Sequence, residues 1–149
     1  MDNRMTPANG RVAHASLRGR VAAAHFVDGY WARIAAPLAN LLVRPDGPRD
    51  RQVIRGDRVL VLERLDRHAF VQAEKDGFCG YVGLAALGAD IAPTHWVAAP
   101  ATHLYATPTI KRHELASLTF GAKLTIVAEE GRFARTSSDE YLPRVHLRP

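Results

Sequence analysis

One short phrase occurs twice in this chain. Ile34-Ala35-Ala36-Pro37 returns as Val97-Ala98-Ala99-Pro100, 63 residues later. Four residues beyond each proline stands a leucine, Leu41 and then Leu104, and four further on a second proline, Pro45 and then Pro108. Each copy next places a glycine ahead of an apolar run: Gly56 before Val59 and Val61, Gly121 before Leu124 and Ile126. A lone aromatic follows, Phe70 and Phe133, then Tyr81-Val82 and Tyr141-Leu142, and a closing leucine, Leu87 and Leu147. The offset drifts from 63 to 65 and back to 60, which insertions in connecting loops produce without touching the elements they join. Chance would return Ala-Ala-Pro alone; about eight landmarks in one order point to a duplication. The chain therefore reads as two similar small units.

Each unit reads as strands. Arg58 to Glu63 is rich in β-branched and apolar residues, the composition of a strand. Ala69 to Ala73 alternates, putting Phe70 and Val71 on opposite faces. Asp76-Gly77 is a turn signal, because glycine accepts positive φ, and Phe78 to Val82 reads as the returning strand. The second unit repeats the plan with Lys123 to Val127, a turn near Glu130-Gly131, Phe133 to Thr136, a turn at Ser137-Ser138-Asp139, and Tyr141-Leu142. No window keeps the i, i+3, i+4, i+7 spacing of a helix. So small a unit protects its strand edges best by closing into a five- or six-stranded barrel. The expected organisation is an extension over residues 1–31 packed on the first barrel, a first barrel over 32–88, a linker over 89–93, and a second barrel over 94–149. Residues 83–92 have room for a single helical turn. Within the extension, Val12 to Leu17 and Val21 to Val27 read equally as strands or a short helix, and Asp28-Gly29 as a turn.

Composition narrows the function classes. Hydrophobic residues make up 47% and charged residues 23%, so the chain can bury a core. The formal charge is +5, a mild attraction to anionic polymers that does not distinguish among them. A single cysteine, Cys79, rules out an intrachain disulfide and gives no sign of an oxidising compartment. The polar start lacks the apolar core of a signal peptide, and no apolar run approaches bilayer length. The expectation is a cytoplasmic protein without a membrane segment.

Several stretches together resemble a known family. Pro37, Ala39, Asn40, Leu41 and Pro45 form a P-x-A-N-L-x-x-x-P pattern like the first strand of bacterial SH3-like domains. Arg51 to Asp57 resembles their T-Q-x-L-x-G-E stretch, and Asp76 to Val82 their D-G-Y-x-G-W-V hairpin. Thr94 to Tyr105 resembles the opening of a second such domain. The order, spanning about residues 6 to 149, resembles the tandem SH3-like region that precedes the catalytic domain of NlpC-type cysteine peptidases. The fold implied is mostly β, two small SH3-like β-barrels in tandem with an N-terminal extension. The catalytic domain of that family carries a D-C-S-G nucleophile motif and a later histidine, and neither is found here. The expectation is a chain with no active site, the accessory region of a hydrolase. In the family the whole enzyme cleaves γ-D-glutamyl bonds to a diamino acid in murein peptides, and the SH3-like region favours short peptides with a free amino end. The resemblance therefore implies two partners: a murein (peptidoglycan) peptide with a free amino end, and a catalytic peptidase domain. A carboxylate suits an ammonium group, and the acid closing the T-Q-x-L-x-G-E stretch is Asp57, one methylene shorter than the family's glutamate. Asp57 and Tyr81 are the candidate ligand-binding residues, Tyr81 being expected to be partly exposed.

The other chemistry-bearing residues point elsewhere. Cys79 lies in a hairpin strand without a neighbouring histidine or helix end to lower its pKa, so it reads as a wall residue. The histidines form no H-x-H, H-E-x-x-H or zinc spacing, and no cofactor or metal is implied. His95 and His103 could converge across a strand, although surface or packing roles fit them as well. Trp31, Trp96, Tyr30, Tyr81 and Tyr105 could line an aromatic groove, but filling the small cores and the barrel–barrel contact is the simpler role, above all for Trp96. The competing function is an autonomous basic nucleic-acid-binding small-barrel protein. Its mark would be a contiguous basic face interleaved with aromatics, whereas Arg49-Asp50-Arg51, Asp57-Arg58 and Glu63-Arg64 mix the two charges. Nucleic acid is accordingly not the expected partner.

Overall fold

The computed structural model describes residues 2–149. The chain is mostly β: its helical elements are three-residue 3-10 turns at Asn3–Met5, Ala15–Leu17, Leu84–Ala86 and Arg144–His146. It divides into two units, the first comprising residues up to 53 with 57–90, the second 54–56 with 91–149.

The first unit begins with two short strands, β1 (Val12–His14) and β2 (His25–Val27), paired in parallel. Seven more follow: β3 (Tyr30–Ile34), β4 (Leu38–Leu42), β5 (Arg49–Ile54), β6 (Arg58–Arg64), β7 (His68–Ala73), β8 (Cys79–Gly83) and β9 (Leu87–Ala89). They form one sheet in the order β5-β4-β8-β7-β6-β3-β9. Asp28-Gly29 turns the chain from β2 into β3 with Gly29 at φ 75°. A Cβ there would lie 2.8 Å from the Val61 carbonyl oxygen, so glycine is required twice over.

The uninterrupted apolar run in β6 has a physical reason: this sheet is buried on both faces. Val59 and Val61 point into one core with Ile34, Leu41, Val53, Val71 and Val82. Leu60 and Leu62, which alternate with them, point into another with Phe70, Cys79 and Tyr81. The second core is completed from outside the sheet by Val12, with Val27 packed against it. Phe70 and Val71 do face opposite ways, each into its own core.

The expected closed barrel is corrected. Among the described residues no sheet closes on itself, and β5 and β9 remain edges. The inner core nevertheless draws on β3 through β8, with Leu87 of β9 packed against it. The sheet thus curls around its side chains, and a bulge between Val61 and Glu63 helps it bend.

The second unit runs β10 (His95–Val97), β11 (Ala101–Leu104), β12 (Ala116–Thr119), β13 (Lys123–Leu124), β14 (Ile126–Glu130), β15 (Phe133–Thr136), β16 (Tyr141–Pro143) and β17 (Leu147–Arg148). These form three small sheets, β13-β10-β17, β11-β12 and β14-β15-β16. Val97, Leu104, Leu118, Leu124, Leu142 and Leu147 meet in its core. Here the alternation is one-sided: Leu124 is buried while Val127 is exposed, the pattern of a sheet with one solvated face. Gly121 and Gly131 take positive φ where turns need it, and Asp139 does so in the third turn. Trp96 does not join the core of its own unit. Its neighbours His95 and Val97 face the other side of β10, and its ring lies exposed with Phe120 edge-on at 5.5 Å.

Between the strands, Ala89 ends β9 and the Asp90 carboxylate accepts hydrogen bonds from Arg33 and Arg58. Residues 91–93 follow without strand or turn. Among the described residues no helix is long and apolar enough to cross a membrane.

Candidate functional site

Asp57 closes the turn into β6, immediately after Gly56 at φ 88°. Its backbone carbonyl accepts from Ile34 N–H at 2.9 Å, fixing the turn against β3. The side chain is only 5% exposed, and Lys75 Nζ donates to its Oδ2 at 2.9 Å. Lys75 belongs to the β7–β8 turn, held by Gly77 N–H donating to Ala73 and by Asp76 accepting from Phe78 N–H. Nearly half the Lys75 side chain is exposed. A buried carboxylate must keep a partner, and a flexible lysine is one that another cation can replace.

Lys75 also lines a polar cleft of about 360 Å³ with Arg49, Asp50, Arg51, Gln52 and Asp76. One oxygen of Asp50, Oδ2, is buried there and accepts no hydrogen bond. Such an orphaned acceptor costs about 1–3 kcal/mol until it is satisfied. Arg51 is drawn aside, its guanidinium 3.3 Å from the centre of the Phe78 ring. The cleft thus offers carboxylate oxygens near a displaceable ammonium. Asp50 was not singled out in the sequence, where it reads as one charge in an Arg-Asp-Arg triplet.

Tyr81 has a different environment. Its ring is 6% exposed and packs on Phe70 with centroids 5.1 Å apart, so the expected partial exposure is corrected. The hydroxyl accepts from Asn9 Nδ2 and Arg11 Nη2, each at 3.0 Å. Arg11 also grips Glu63 with two parallel bonds of 3.0 and 2.9 Å, which holds the Glu63 carboxyl below the usual carboxylate range. Tyr81 therefore ties the N-terminal segment to the sheet.

Cys79 is buried in β8. Desolvation, with some repulsion from Asp76, pushes its thiol up to about 12, the opposite of what a nucleophile needs. Among the described residues no cluster of His, Cys, Asp and Glu is arranged to hold a metal ion.

The second unit contains a larger cleft of about 1110 Å³. Tyr105 and Phe133 form its aromatic wall, edge to face with centroids 6.4 Å apart. His95 and His103 both line it, joined by His146 from the 3-10 turn. Thr102 Oγ1 lies 2.7 Å from His146 Nδ1 and fixes that ring. The 105–115 loop and the 144–146 turn come from distant parts of the sequence, so no local motif announces this cleft.

The curled, mostly β units are SH3-like in fold, and the comparisons agree with that class. Residues 41–87 match the family model described as the bacterial dipeptidyl-peptidase Sh3 domain. Among curated proteins no sequence matches the chain. Among solved structures, an NlpC/P60 family protein from Bacillus cereus is similar, with a TM-score of 0.63 and 16% identity over 80% of this chain. At that identity the likeness is one of fold. The chain spans 56% of that protein. NlpC2 and NlpC1 from Trichomonas vaginalis align over 80% of the chain at 15% and 12% identity and over 47% and 45% of theirs, with TM-scores of 0.34 and 0.35. Residues 41–87 thus resemble an accessory SH3 module associated with bacterial peptidases.

Proposed function

We propose that the chain is a non-catalytic recognition module for murein peptides, working beside a cysteine peptidase domain in the cytoplasm. The observation that carries the reading is the pairing of buried Asp57 with the ammonium of Lys75. A free amino end of a peptide presents the same group. By taking the place of Lys75 it would meet Asp57, next to the polar cleft that Lys75 lines together with Asp50 and Asp76. The match of residues 41–87 to a peptidase-associated Sh3 family supports this setting. So do the two units themselves: β3-β6, β3-β9, β6-β7 and β7-β8 pair as β10-β13, β10-β17, β14-β15 and β15-β16 do. We read this as a tandem duplication of one module.

The test is calorimetric titration with the tripeptide L-Ala-γ-D-Glu-L-Lys and its N-acetylated form. A charge-assisted hydrogen bond contributes about 1.5–3 kcal/mol, so Asp57→Asn weakens binding about tenfold or more. Lys75→Ala, which removes the competitor, tightens it. Equal binding of the acetylated peptide, or salt-sensitive binding of DNA in place of the peptide, overturns the reading.

A further inference from the structure

We propose that the large cleft of the second unit is a binding site for short acidic peptides. It would take an apolar side chain on the aromatic wall and a carboxylate at the rim. Three features of the cleft carry this. First, the wall is apolar and preformed, since Tyr105 and Phe133 brace each other edge to face, and concave sites with few polar groups are where small ligands bind. Second, Ile110 and Val145 on its rim are 68% and 74% exposed, so a ligand covering them removes apolar surface from water. Third, the rim charge is unbalanced. Among the described residues Glu129 is the one acidic side chain lining the cleft, and Arg144 matches it at 3.0 Å. Lys111 and Arg132 also line it, and neither side chain has a hydrogen-bond or ion-pair partner among the described residues.

Two unpaired cations beside an apolar wall favour an anion with an apolar part. Arginine in particular presents a fork that matches a carboxylate. The polar cleft of the first unit differs, with the carboxylates of Asp50 and Asp76 among its lining residues. A peptide with an amino end and an acidic side therefore has a complementary site in each unit. The proposal deepens the murein-peptide reading and rests on it only for the source of the peptide.

The experiment records amide chemical shifts of the whole chain during titration with two probes. One is L-Ala-γ-D-Glu-L-Lys; the other is N-acetyl-Leu-Glu-Glu, which has no free amino end. Both probes should shift residues 110–111, 132–133 and 144–146. Lys111→Glu with Arg132→Glu should weaken both about tenfold or more, and the milder Lys111→Gln with Arg132→Gln should act in the same direction. Asp57→Asn should affect the first probe alone. If N-acetyl-Leu-Glu-Glu binds the cleft and the murein tripeptide does not, the cleft proposal stands and the murein reading falls. If neither probe moves these residues, or the fully amidated N-acetyl-Leu-Gln-Gln binds equally well, the cleft proposal is wrong.

Discussion

Cys79 reports on the outer core of the first unit through its titration. Desolvation raises the native thiol from 9.0 to about 12. The unfolded chain releases its proton near 9, while the native protein keeps it to about 12. Between these limits the unfolded state binds fewer protons, so stability falls as pH rises. The loss is about 1.36 kcal/mol per pH unit, or about 2 kcal/mol between pH 9 and 10.5. Below pH 9 the thiol is neutral in both states and the loss vanishes. Urea unfolding at pH 8 and pH 10.5 measures it, with Cys79→Ala as the reference. Tyrosines and lysines titrate in both proteins, so the difference between the two pH dependences isolates the thiol. The wild type should lose about 2 kcal/mol more than the variant. The same burial lowers the native thiolate population at pH 8 about a thousandfold relative to a thiol of pKa 9. A disulfide reagent should therefore label Cys79 only as fast as the unit opens. Equal pH dependences in the two proteins, or labelling at the rate of a free thiol, would refute the account.

Two further outcomes test the packing and the strap. Leu104 is fully buried in the second core, so Leu104→Ala should cost about 2–5 kcal/mol, whereas truncating the exposed Val127 should stay within about 0.5 kcal/mol; denaturant midpoints separate the two. Arg11→Ala should free residues 9–14 for amide exchange and remove a stabilisation that depends on ionised Glu63. Because Arg11 lowers the Glu63 pKa in the folded state, that stabilisation is present above the ordinary carboxylate pKa and lost as pH falls through the native one. The variant should therefore show a flatter acid limb than the wild type in urea midpoints measured from pH 6 to pH 3.

The strand plan was legible because its signals are local. Alternation, glycine before a strand and Asp-Gly turns all act within a few residues, and the landmarks Ile34, Leu41, Val59, Val97, Leu104 and Leu142 are buried as that pattern implies. The burial of Tyr81, which was expected to be partly exposed, and the exposure of Trp96 depend on what lies across the sheet. Tyr81 is covered because residues 9–12 come from far away in sequence to lie over it. Trp96 stays exposed because its face of β10 is shared with Lys123 and Arg148, its cross-strand partners, and not with the core. The cleft of the second unit escaped for the same reason. His95 and His103 were noticed as able to converge, but the loop and turn that complete the cavity have no repetitive pattern. In the first unit Asp50 gains meaning only once one of its oxygens is seen to lack a donor.

The outer core under the N-terminal strap bears on how this protein can be cut and recombined. The recognisable family stretch begins at residue 41, yet Val12 and Val27 shield Leu60, Leu62 and Phe70. A clone starting at the motif would leave that greasy surface bare and prone to clumping. The portable piece is longer than its signature, and anyone grafting it elsewhere should carry every residue from Val12 onward along.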